Sequence, residues 1–161
     1  MKRLVLVFVI LISVGSITNS CKKKYPENKF GSFKRTANRM GNGKVWELDK
    51  YLMNDVNQTL YDGQYYKQTY SELCVGGGDM KCNKGLLVVE SLLFSPSLSY
   101  TWELSEDETT FTSILVGDPL TPSTPKRTIR KLTRNEFWYV YTDENGNKQE
   151  FHLKRKHTFG K

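Results

Sequence analysis

Few residues of this chain carry chemistry on their own. Its 161 residues include three cysteines, Cys21, Cys74 and Cys82, and two histidines, His152 and His157. Cys74 and Cys82 bracket "VGGGDMK". Two cysteines so placed lack the further ligands of a zinc site. Their spacing is also not the Cys-x-x-Cys of a redox pair. In an oxidising compartment they read as a structural disulfide across a glycine-rich loop that closes easily, with two free thiols as the alternative. The acids of "SEDE" (105–108) are consecutive, so their carboxylates splay apart in a solvated turn and make no acid–base pair. His152 falls on the face opposite Phe151 and Leu153, and a lone histidine is not a site; His157 lies in the tail. No Ser-His-Asp order, phosphate loop or metal-ligating cluster appears, and the glycines of "VGGGD" have no following helix to hold an anion. These readings point away from an enzyme and imply no cofactor.

Cys21 is different because of what precedes it. The chain opens Met1-Lys2-Arg3, then "LVLVFVILI" (4–12), then "SVGSITNS" (13–20). A positive start, a short apolar run and a small residue before the break read as a secretory signal peptide. The run is too short for a membrane span, which needs about 20 apolar residues. The stretch resembles a bacterial lipoprotein signal, in which the cysteine becomes the new first residue and carries the lipid. Thr18, Asn19 and Ser20 replace the common Leu-containing box, and such looser boxes ending in Ser-Cys are similar to those of Bacteroidota lipoproteins. The resemblance implies a lipid on Cys21, palmitate among its chains, and a membrane partner through it. The address it implies is the cell envelope: the outer membrane, at its periplasmic or surface face. "KKKYPENKFG" (22–31) then reads as a charged tether without apolar periodicity.

Removing residues 1–20 leaves 141 residues, enough for one domain. Loss of Lys2 and Arg3 takes the formal charge from +7 to +5. The remaining cations are scattered and form no recognition motif, so nucleic acid is not an expected partner. Aromatic residues make up 12% of the chain, which favours strands over helices.

The elements that must position any site follow from periodicity. "SFKRTANRMGNG" (32–43) predicts one short helix, with Ser32 as N-cap and Gly41 as stop. From there the pattern has period two. "VWELDKYL" (45–52) puts Trp46, Leu48 and Leu52 on one face, with Glu47, Asp49 and Tyr51 on the other. "NDVNQT" (54–59) predicts a turn. Further strands are predicted over 64–73, 85–94, 98–104, 109–116, 126–133, 137–142 and 149–156. The Asn-Gly of "DENGNK" (143–148) marks the last hairpin. About eight strands, nearly all joined as hairpins, must hide their edges. The choices are an antiparallel up-and-down barrel or a β-sandwich. An eight-stranded barrel is either filled by side chains or holds one small ligand.

Two stretches carry a family resemblance. "GKVWELDKYLMNDVNQT" (43–59) resembles the first strand of the lipocalin-like (calycin) lipoproteins of Bacteroidota. "IRKLTRNEFWYVYTDENGNKQEFHLKRK" (129–156) resembles their closing hairpin. The resemblance implies a signal peptide over 1–20, a lipidated cysteine, tether and helix over 21–42, and a lipocalin-like barrel over 43–157. It also implies that Trp46 plugs the closed end of the barrel, and it carries over no catalytic residue. Two roles then stay open. One is a tethered binding module for a small apolar or amphipathic ligand, lined by Tyr66, Tyr100, Trp102, Phe111 and Tyr139. The other is an interaction lipoprotein with a filled core, docking an envelope protein through a patch such as "GGGDM" (76–80) or "PLTPSTP" (119–125).

Overall fold

The computed structural model describes residues 24–28, 36–41, 43–59, 66–73, 83–91, 94–117 and 125–156. After one short helix, α1 (Thr36–Met40), come nine strands: β1 (Lys44–Met53), β2 (Val56–Gln58), β3 (Tyr66–Glu72), β4 (Lys84–Ser91), β5 (Phe94–Leu104), β6 (Thr110–Leu115), β7 (Arg127–Leu132), β8 (Glu136–Thr142) and β9 (Lys148–Arg155). Neighbours in sequence pair antiparallel from β3 to β9, β1 joins β3, and β9 returns to pair with β1. Eight strands thus close into an up-and-down barrel, and the sandwich alternative falls away. The segment expected to be a turn includes β2, which pairs with the second half of β1 beyond the reach of β3.

Period-two alternation builds the interior. Trp46, Tyr70, Leu87, Trp102, Phe111, Ile129, Phe137, Tyr139 and Leu153 are all buried in one core. The Trp46 indole N–H donates to the Met40 carbonyl at 2.9 Å, and its ring meets Phe137 edge-on at 5.7 Å. Trp46 therefore ties α1 across one end of the barrel. Gly41 follows the helix as expected, its N–H donating to the Ala37 carbonyl at 2.7 Å. Ser32 lies outside the described residues.

Several expectations need correction. The first concerns the phase of β1. Against β9 the register slips between Leu48 and Lys50, so Asp49 is an extra, bulged residue. A one-residue slip exchanges the two faces. Tyr51, not Leu52, therefore follows Leu48 inward: its ring lies 4.9 Å from Phe151, and its hydroxyl donates to the Gln149 side chain. Leu52 instead pairs with Glu150, which meets His152 at 2.7 Å on the outer face. There the His152 ring stacks on Trp138 at 4.0 Å, with the Lys131 ammonium over the same indole.

The second correction concerns the start of the chain. Residues 24–28, expected as part of a charged tether, pack on the barrel. Strands β6 and β7 share only the pairs Thr110–Thr128 and Phe111–Arg127, so the rest of β7 runs past the beginning of β6. Residues 25–28 cover that bare edge. Glu27 N–H donates to the Arg130 carbonyl at 3.0 Å, and the buried Asn28 amide bonds both the N–H and the carbonyl of Leu132 at 3.1 Å. A free edge is a template for unwanted pairing, and a covered one is not.

The acids of the β5–β6 turn lock this arrangement. Glu108, at φ 55°, is not splayed into solvent. Its carboxylate accepts from Lys24 Nζ at 2.5 Å, from the Thr36 hydroxyl at 2.9 Å and from the Thr36 N–H at 3.3 Å. Burial alone raises its pKa, but these donors outweigh burial and hold it below the usual carboxylate value. The Tyr25 hydroxyl meets Thr36 beside it, and burial pushes that phenol up to about 12. Asp107 keeps the turn itself closed, and its bonds from the Ser105 and Thr109 hydroxyls and the Thr109 N–H lower its pKa to about 2.

Candidate functional site

Antiparallel order sends the starts of β3, β5, β7 and β9 to the end of the barrel opposite α1. A part-open cavity of about 120 Å³ lies there, beneath Tyr66, Tyr100 and Tyr141 and above Tyr70. Leu87, Val89 and Leu98 form an apolar wall on β4 and β5. Opposite them stand Tyr139 and Phe151, stacked at 5.1 Å.

Three of the five residues expected to line a cavity do so: Tyr66, Tyr100 and Tyr139. Trp102 and Phe111 do not. Trp102 turns toward the plugged end, shares its indole N–H between the Ser71 and Leu86 carbonyls at 3.2 Å each, and meets Tyr70 edge-on. Phe111 packs between Phe137 at 5.8 Å and Tyr139 at 5.3 Å. Both are floor, one layer below the cavity. Cys21, Cys74 and Cys82 lie outside the described residues, as do "GGGDM" and most of "PLTPSTP".

The polar groups of the cavity were not singled out from the sequence. Gln68 sits between Tyr66 and Tyr70 on the inward phase of β3 and is 2% exposed. Its amide nitrogen donates to the hydroxyls of Tyr66 at 2.7 Å and Tyr139 at 2.8 Å, and its oxygen accepts from Tyr70 at 2.8 Å. Arg127 opens β7 two residues before the buried Ile129, hence in the same phase. Its guanidinium donates to the buried Ser113 hydroxyl at 2.8 Å and lies over the rings of Tyr141 at 5.2 Å and Phe111 at 5.6 Å. Among the described residues no carboxylate pairs with it.

Burial raises the phenols of Tyr66, Tyr70, Tyr139 and Tyr141 above the ordinary tyrosine value, with neighbouring Arg127 opposing in each case. All four are neutral at physiological pH and serve as hydrogen-bonding groups. The site is thus an aromatic cup holding one permanent positive charge.

No family model matches this chain, and no curated protein or solved structure matches it.

Proposed function

We propose that this protein is a binding module of the bacterial cell envelope, held to a membrane by lipid on Cys21, that receives a small amphipathic ligand in the mouth of a lipocalin-like barrel. The observation that carries the binding reading is the cavity itself. A closed barrel with two tryptophans and a helix sealing one end leaves its polar-lined space at the other. Small-molecule sites have this character: concave, mostly apolar, with a few placed polar groups. At about 120 Å³ the space suits a compact molecule and not a long acyl chain. The envelope and lipid readings rest on the sequence preceding Cys21 and on the resemblance described above.

A second reading, docking to an envelope protein, is favoured by one observation. On the outer face Leu73, Ile114 and Val116 are each about half exposed, and the first two border a groove over β4, β5 and β6.

Native mass spectrometry on the protein released by mild detergent separates the two. A co-purifying small molecule, together with palmitate label lost in Cys21→Ser, supports the binding module. A bound protein with an empty barrel supports docking. Unchanged membrane retention and no label in any form refute the anchor.

A further inference from the structure

We infer that the cavity recognises a small monocarboxylate, with the Arg127 guanidinium and the phenol protons of Tyr66 and Tyr139 as its donors. This rests on the binding reading above and names the ligand class for the same site.

Charge is the first argument. Arginine is always protonated, and half-burying its charge without an ionic partner carries part of the cost of burying one. Among the described residues Arg127 has one neutral hydrogen bond, to Ser113, and two ring faces. Among the described residues it is the one ionised group on the cavity wall. A planar guanidinium with N–H groups to spare fits a carboxylate with two parallel bonds.

The donors and acceptors give the second argument. A glutamine amide offers two N–H groups. Gln68 gives both, one each to the oxygens of Tyr66 and Tyr139. Each phenol is therefore already an acceptor, and its own proton has no acceptor among the described residues. The raised phenol pKa values keep those protons in place near neutrality. The wall presents hydrogen-bond donors in excess, which an anion satisfies and a hydrocarbon does not.

Size and stoichiometry choose the anion. One guanidinium neutralises one negative charge, so a monoanion leaves no buried excess where a phosphate dianion would. Leu87, Val89 and Leu98 face the rest of the molecule with apolar surface, and the volume limits that body to about the size of a benzene ring.

Calorimetric titration of the purified full chain with benzoate, and with benzamide as the neutral isostere, tests this. The expected result is that benzoate binds at least about tenfold more tightly than benzamide, since hydrogen bonds to charged groups exceed neutral ones by that order. Arg127→Met is expected to abolish the preference, while Tyr139→Phe reduces it. Near-UV circular dichroism checks that each variant is folded. Arg127→Lys, which keeps the charge but not the fork, is expected to bind benzoate at an intermediate level. Equal binding of acid and amide to the unaltered protein overturns the carboxylate assignment and leaves the binding module standing. Failure of both probes, with no small molecule co-purifying, overturns both.

Discussion

Gly85 is the position where one added carbon tests the packing most directly. It sits on β4 opposite Trp102 and beside Ser71 of β3. A Cβ there would lie 1.9 Å from the Ser71 carbonyl oxygen and 2.4 Å from Cε2 and Nε1 of the Trp102 indole. Neither neighbour yields easily. The Ser71 oxygen is backbone within a paired strand, and the indole N–H already donates to it. Relief by expelling Trp102, which is 1% exposed, would return roughly 200 Å² to water, about 5 kcal/mol at roughly 25 cal/mol per Å². Relief by parting β3 from β4 would lose local hydrogen bonds at about 1 kcal/mol each and strain the core besides. The cheaper combination sets the expected cost of Gly85→Ala at about 3 kcal/mol, a large share of the roughly 5–15 kcal/mol typical of a domain. Equilibrium urea unfolding, followed by far-UV circular dichroism and tryptophan fluorescence, reads this as a lower midpoint at unchanged slope. The melting temperature should fall by about 6–12 °C. Trp102→Phe removes the indole nitrogen but not the Ser71 oxygen, so the double variant should be less destabilised than the sum of the singles. An unfolding free energy for Gly85→Ala within about 0.5 kcal/mol of the parent, the scatter of neutral surface changes, would refute the close approach and the core packing drawn around it.

Two further outcomes follow from the ionisable groups. Tyr25, Tyr51, Tyr66, Tyr70, Tyr139 and Tyr141 all have phenol pKa values raised, first by burial. The unfolded chain releases these protons near pH 10 while the folded chain keeps them, so their stabilisation is full below about pH 10 and is lost as pH rises beyond it; absorbance at 295 nm should show these six of the nine tyrosines ionising together with loss of the circular dichroism signal, and ionisation of all nine in a still-folded barrel would contradict the burial. Glu108 has its pKa lowered, burial being outweighed by the Lys24 and Thr36 donors, so its contribution is present above the unfolded value near 4.3 and fades as pH falls through the lower folded value. Protection factors of the Glu27 and Leu132 amides, taken against the intrinsic exchange rate at each pH, should therefore fall on acidification, Glu108→Gln should show that lower protection already at pH 7, and unchanged protection in that variant would disprove the locking role.

The barrel was legible in the sequence because period two is a local property. Strands such as "LSYTWEL" and "FWYVYT" alternate without help from their neighbours, and an Asn-Gly turn announces its own hairpin. What depended on two elements at once was hidden. The bulge at Asp49 exists only relative to β9, so Tyr51 and Leu52 were assigned to the wrong faces. The docking of Tyr25 and Asn28 depends on the stagger of β6 against β7, which no single strand records. Trp102 and Phe111 had the right phase but the wrong height along the barrel axis, a coordinate that register sets and periodicity does not. Arg127 and Gln68 occupied inward phases all along. Reading inward polar residues as site candidates, not as interruptions of an apolar face, would have found them.

The bond between Glu108 and the first described residues also fixes an orientation. Lys24 is held at the sealed end of the barrel, and only three peptide units separate it from Cys21, a reach of about 11 Å at full extension. On the proposed attachment there, the barrel stands on its sealed base close against the bilayer, with no slack to topple over. Its cup then looks away from the lipid. Cargo would be handed over from the aqueous side, and the acyl chains underfoot would be a mooring and not a source.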